Sequence, residues 1–338
     1  MKKLLSLLLA LLMLTALVSC GSKETTVPDT QNATTDGDDA PAAPATVRVA
    51  TLNGTTGFGM APLISKNKAG QAALPYTFSV ETDATVVRDG LINGTFDIGA
   101  VPTNVAALIY NRTQGGVKVL ALNTRGVLYL VTRGDTAVTL ADLAGQTVCC
   151  PAQNPAFITK ALFDAAGIAD VTIDSTTYAA PADLRDAVAA GLVAYAVLPE
   201  PMVTIAKSKA TQAGVTLTVS ADLTAEWDRY YPAGSLVQGC VVARTEFINA
   251  YPDAVSTFLT EYAASIAAVT ADPDTAAQQI VEAGIFAQAP VAKAAIPKCN
   301  LCYVTGVEMK NALGTFLAAM PAASIGGALP DDAFYYGI

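Results

Sequence analysis

The residues with the clearest chemical potential lie in "VRVATLNGTTGFGMAP", residues 47 to 62. An apolar run, Val47 to Leu52, leads into Gly54, Gly57 and Gly59, with Asn53, Thr55 and Thr56 among them and Pro62 opening a helical pattern. A strand entering a glycine-rich turn before a helix aims backbone amides at a common point, the arrangement used to hold phosphates and other polar groups. Two nucleotide readings fail on spacing. A phosphate-binding loop needs lysine after its second glycine, where Met60 follows Gly59; a dinucleotide fingerprint needs a third glycine at position 62, which is proline. Proline lacks an N–H and suits only the first turn of a helix. Residues 54–59 are therefore expected to stay in a turn with free amides, a polar cradle for a small solute.

Other chemistries are limited by composition. The chain has no histidine, which removes Ser-His and Cys-His nucleophile pairs and every histidine-based metal motif. Glu226 and Asp228 would be the carboxylate pair for glycoside chemistry, but they flank Trp227 beside Arg229 in a polar turn and read as solvated charge. Beyond Cys20 there are five cysteines, Cys149, Cys150, Cys240, Cys299 and Cys302, an odd number. Cys299 and Cys302 match C-x-x-C without a thioredoxin-like context. A zinc site would need a second pair, and the vicinal Cys149-Cys150 is poorly suited to chelation. Buried thiols or one local disulfide are expected, with no metal, no cofactor and no catalytic residue. A formal charge of −9, with scattered Lys and Arg, argues against nucleic acid as a partner.

The elements that must position the loop begin after an export signal. Lys2 and Lys3 precede an apolar run, Leu4 to Val18, and Leu17-Val18-Ser19-Cys20 reads as a lipobox. Residues 1–19 are thus expected to be a signal peptide, with lipid on Cys20 tethering the protein to the membrane. Residues 20–46, rich in Ala, Thr, Asp and Pro, form a flexible tether with too few large apolar residues for a core. The body alternates β-branched apolar runs with alanine-rich helical patterns, which predicts an α/β fold with a largely parallel sheet. Strands are expected near 47–52, 76–81, 96–101, 117–123 and 127–132. A second series is expected near 147–150, 171–174, 195–198 and 215–219, with a return strand near 236–243 and a mostly helical remainder. "LINGTFDIGAVPTN" (91–104) and "VAAGLVAYAVLPEP" (188–201) align without a gap. In each, a helix ends at glycine, a short strand follows and a proline starts the next helix, as in two similar lobes.

The ordered set of the lipobox, "NGTTGFG", "LINGTFDIGAVPTNVAALIYN", "TLADLAGQTV", "GLVAYAVLPEPMV", "LTAEWDRY", "QGCVVARTEF", "YPDAVSTFLTEYAASI" and "GGALPDDAFYYG" resembles solute-binding lipoproteins of ABC importers. The group is the nitrate/sulfonate/taurine type, which includes binders of thiamine-pyrimidine precursors. That resemblance implies a type 2 periplasmic-binding-protein fold: two α/β lobes joined by two strand crossovers, Gly126–Arg133 and Leu236–Val242, with ligand in the cleft. Lobe one would be residues 47–128 plus 239–338, and lobe two residues 129–238. It also implies a non-enzymatic, monomeric, lipid-anchored protein on the extracytoplasmic side of the cell membrane, delivering a small organic solute to an ABC permease and its ATPase. The alternative of the same fold is a surface lipoprotein acting as a ligand sensor or adhesin. The second echo departs from the group in having Ala194 where the first has Asp97; Asp97 reads as structural.

In parallel α/β lobes, ligands gather outside the carboxyl ends of strands. This selects Asn53, Gly54, Thr55, Thr56 and Gly57, then Thr103 and Asn104, Asn123-Thr124, Gln153 and Asn154, and Glu200, with Tyr129 and Gln238 at the crossovers. Phe58, Tyr129, Phe157 or Trp227 would supply a stacking ring. No strand exit carries arginine. The expectation is therefore an amino-bearing heterocycle, its amino group received by Glu200, over a strongly charged anion.

Overall fold

The computed structural model describes residues 43–338, so the signal segment, Cys20 and most of the tether lie outside the described residues. Eleven strands form two sheets. They are β1 (Val47–Leu52), β2 (Tyr76–Glu81), β3 (Ile98–Pro102), β4 (Val117–Arg125), β5 (Leu128–Arg133), β6 (Thr147–Cys149), β7 (Thr172–Asp174), β8 (Tyr195–Pro199), β9 (Leu217–Asp222), β10 (Val237–Arg244) and β11 (Leu301–Val304). One sheet has the order β11-β4-β10-β3-β1-β2, the other β7-β6-β8-β5-β9. This is a two-lobe α/β fold. The chain passes between sheets twice, from β4 to β5 and from β9 to β10.

The pairing is less parallel than the alternation of elements predicts. β1 pairs parallel with β2 and β3, and β6 with β7 and β8. Each strand that follows a passage runs the other way: β10 is antiparallel to both β3 and β4, and β5 to both β8 and β9. A strand arriving from the other lobe need not make a β-α-β crossover, so it is free to enter antiparallel. Strand β11, antiparallel to β4 at the sheet edge, was not expected. Its four residues, Leu-Cys-Tyr-Val, are apolar throughout and carry no period-2 alternation.

In the first echo the helix Ala84–Asn93 is capped by Asp83, whose carboxylate accepts from Thr85 N at 2.8 Å, and ends at Gly94 with φ 82°. Asp97, 4% exposed, then accepts from the Arg48 backbone N–H and guanidinium, tying β3 to β1. One apolar cluster runs from β1, β4 and β10 to β5, β6 and β8, taking in Trp227, Leu236 and Phe316. Trp227 is fully buried, stacks on Tyr231 at 4.0 Å and donates to Ser235 Oγ at 2.9 Å. The helix Pro252–Ala271 is long and apolar enough to cross a membrane by length and composition. Here it turns Val255, Phe258, Tyr262 and Ile266 into the second apolar cluster. Its buried Glu261 accepts from Lys66, Ala73 N and Tyr76.

Candidate functional site

The loop after β1 lines a cavity of about 280 Å³ whose other wall comes from the loop after β8. Asn53, Gly54, Thr55 and Thr56 face Pro199, Glu200, Pro201 and Met202, with Val127, Pro181 and Phe286 completing the lining. Gly54 is held by its N–H donating to Ile285 O at 3.1 Å, with a positive φ of 80° that disfavours other residues. Helical structure starts at Thr55, well before Pro62: a short helix covers Thr55–Phe58 and the next Ala61–Lys68. The expectation of an open turn through residue 59 is thus corrected; Gly57 N and Met60 N are bonded to Gly54 O and Gly57 O. Gly57 does not line the cavity. A Cβ there would lie 2.0 Å from Leu52 O, so glycine is needed for the backbone's own packing.

Thr55 Oγ1 donates to Glu200 O at 2.8 Å, joining the two walls directly. The Glu200 carboxyl accepts from Thr204 N at 3.1 Å and Thr204 Oγ1 at 3.0 Å, and Lys298 Nζ lies 3.8 Å away. Its side chain has no exposure. Burial pushes its pKa above the ordinary carboxylate value, opposed by the Thr204 bonds and Lys298. Glu200 is therefore not presented to the cavity as a free acceptor. A further bond joins the segments on either side of the cleft, Tyr129 Oη donating to Lys298 O at 2.9 Å, and Asn300 Nδ2 donates to Gly126 O at 2.6 Å, at the start of the first crossover.

The remaining sequence candidates fall elsewhere. Gln238 accepts from Val127 N at 2.7 Å and holds the crossover. Thr103 is fully buried and donates to Val237 O at 2.8 Å. Asn123 donates to Tyr262 Oη at 2.9 Å. Asn104 and Gln153 line a second cavity of about 380 Å³, with Phe157. Asn154 opens the helix Asn154–Ala165, and its buried side-chain oxygen has no partner. Phe58 and Trp227 are fully buried core residues. The ring that lines the 280 Å³ cavity is Phe286, which the sequence reading missed, along with Val127, Pro181 and Met202. Phe286 follows the helix-ending Gly284 (φ 76°), far from any strand exit, so no periodicity marks it.

Among the described residues the cysteines are free thiols and no group of His, Cys, Asp and Glu is arranged to hold a metal ion. Burial pushes the Cys299 thiol up to about 12 and Cys302 to about 11, which leaves both protonated and poorly nucleophilic at neutral pH.

No family model matches the chain, and no curated protein does. Solved structures do. An ABC transporter protein from Parabacteroides distasonis superposes with a TM-score of 0.73 at 22% identity, over 86% of this chain and 98% of that one. The periplasmic aliphatic sulphonate-binding protein SsuA of Escherichia coli gives 0.64 at 13% identity, over 82% and 86%. The alkanesulfonate-binding protein SsuA of Xanthomonas axonopodis, bound to MOPS, gives 0.60 at 14% identity, over 86% and 96%. The fold is that of the periplasmic binding proteins.

Proposed function

We propose that this chain is the solute-binding component of an ABC importer, capturing a small organic solute between its lobes and delivering it to the permease. The observation that carries this reading is the 280 Å³ cavity walled by the loops after β1 and β8, one from each sheet. Its volume is at the small end of ligand pockets, roughly 300–1,000 Å³. Closure of two lobes on a ligand is a hinge motion, and the close pairing of Thr55 with Glu200 O is suited to report it. The lobes are taken as residues 47–128 plus 239–338 and residues 129–238, a division that the membership of the two sheets supports. Lipid on Cys20 would hold the monomer at the extracytoplasmic face of the membrane, beside the permease and its ATPase.

The solute class follows from the lining. Val127, Pro181, Pro199, Met202 and Phe286 are apolar, and no cation lines the cavity. With the Glu200 carboxyl engaged by Thr204, the polar contacts on offer come from the Asn53 amide, the Thr56 hydroxyl and the first N–H groups of the Thr55–Phe58 turn. A compact neutral heterocycle satisfies such walls better than a sulfonate does. Native mass spectrometry of gently purified protein, followed by calorimetry with whatever co-purifies, tests this. A neutral ring compound bound in the micromolar range is expected; micromolar binding of an alkylsulfonate or nitrate would overturn the solute class. No binding across a broad metabolite panel would overturn solute capture itself.

A further inference from the structure

The second cavity in the cleft has a different chemistry, and none of its lining residues belongs to the first. It runs between the helices Ala84–Asn93 and Thr103–Thr113, with Gln153 and Phe157 reaching it from the other lobe. Both helices follow strands parallel to β1, so they run in the same direction and both begin at the cleft. At that end lie Asp83, with one carboxylate oxygen occupied by Thr85 N, and Asn104. Asn104 is 6% exposed, its amide nitrogen reaches Ser324 O at 3.5 Å, and its side-chain oxygen has no partner. A buried acceptor left unpaired is costly, so this oxygen awaits an N–H or O–H donor.

At the outer end the lining turns cationic. Arg88 lies four residues into its helix, about 6 Å along the axis, and Arg112 lies eight residues beyond Asn104, about 12 Å. Both line the cavity; Arg88 gives one bond to Asp89 at 2.7 Å, and Arg112 is exposed. The groove is polarised along its helices: acceptors stand at the cleft end, and the two arginines are rooted roughly 6–12 Å further along the axes. From this we infer that the groove is a second binding site, for an extended zwitterion with an ammonium or other donor at one end and a carboxylate at the other, the chemistry of an ω-amino acid. Guanidinium–carboxylate pairs and an ammonium on a carboxylate–amide pair are the stronger class of hydrogen bonds, and the apolar Leu108 and Phe157 flank the span between them.

Calorimetry on the mature protein with 6-aminohexanoate, hexanoate and hexylamine tests the assignment. 6-Aminohexanoate should bind at least about tenfold more tightly than either compound lacking one end, the factor expected for one charge-assisted bond. Arg88→Gln with Arg112→Gln should weaken it at least about tenfold, and Asn104→Leu should erase its advantage over hexanoate, with the folded state checked by circular dichroism. Thr56→Tyr, in the other cavity, should leave this binding unchanged, which separates its fate from that of the solute reading. No heat with 6-aminohexanoate at millimolar concentration, unchanged binding in the double arginine variant, or loss of binding in Thr56→Tyr would each overturn the second site.

Discussion

The two echo segments, 91–104 and 188–201, build the same helix–strand–helix unit in the two lobes, yet each places its one acid differently. In the first, the acid is Asp97, in the turn, buried against Arg48; the residue that opens the next helix is Thr103, neutral and bonded to Val237 O. In the second, the turn has exposed Ala194, and the acid is Glu200, at the cleft, held by Thr204. Where the first unit is tied by an ion pair, the second relies on Arg133 donating to the helix-terminal carbonyl of Gly191. The difference teaches that the unit's geometry does not need an acid at either position. In lobe one the acid serves the fold; in lobe two it stands in the wall of a cavity.

The largest expected effect separates the two turns. Asp97→Ala strands the Arg48 guanidinium and leaves a backbone N–H of β1 unpaired, and should cost about 2–3 kcal/mol, below the usual range for a broken buried pair because Arg48 is partly exposed. Ala194→Asp, on an exposed turn, should change stability by no more than about 0.5 kcal/mol. Urea unfolding measures both, and equal costs would break the comparison. Thr103→Val should cost about 1 kcal/mol at every pH, since it removes a neutral hydrogen bond and leaves Val237 O without that donor.

Glu200→Gln is comparable in size to Thr103→Val but has a pH signature. Burial raises the Glu200 pKa in the folded protein, so the folded state binds the proton more readily than the unfolded chain. That contribution to stability is fully present below the ordinary carboxylate pKa and is lost as pH rises through the raised one. The Gln variant should therefore match the wild type in acid and exceed it at neutral pH, by on the order of 1 kcal/mol. Thermal unfolding at several pH values measures it. A variant less stable than wild type at neutral pH would show that Lys298 and Thr204 more than offset the burial.

Much of this architecture is legible in the sequence. The buried strands β1, β3, β4, β8 and β10 announce themselves as short apolar runs; the echo glycines mark where helices stop, and Pro102 caps the next helix in the first echo, whereas in the second Pro199 ends β8 and the helix begins only at Met202. The site is less legible, for a physical reason. Polar residues at strand exits serve two ends that look identical in sequence: Asn53 and Thr56 line a cavity, whereas Thr103, Asn123 and Gln238 satisfy buried backbone and side-chain partners. Only the tertiary partner tells them apart. Apolar lining is harder still, because Phe286 and Met202 are indistinguishable by type from core residues, and the arginines at positions 88 and 112 come from helix bodies that no strand-exit rule inspects.

The most direct test of solute capture between the lobes is calorimetric titration of the co-purifying solute into wild type and Thr56→Tyr protein. Thr56 is half-buried and lines the 280 Å³ cavity without bearing on the packing that fixes Gly57. A tyrosine there fills space that the solute needs, so the variant should keep its melting temperature and lose at least about tenfold in affinity, the equivalent of 1.4 kcal/mol. Affinity equal to the wild type, in a variant equally well folded, would contradict the account.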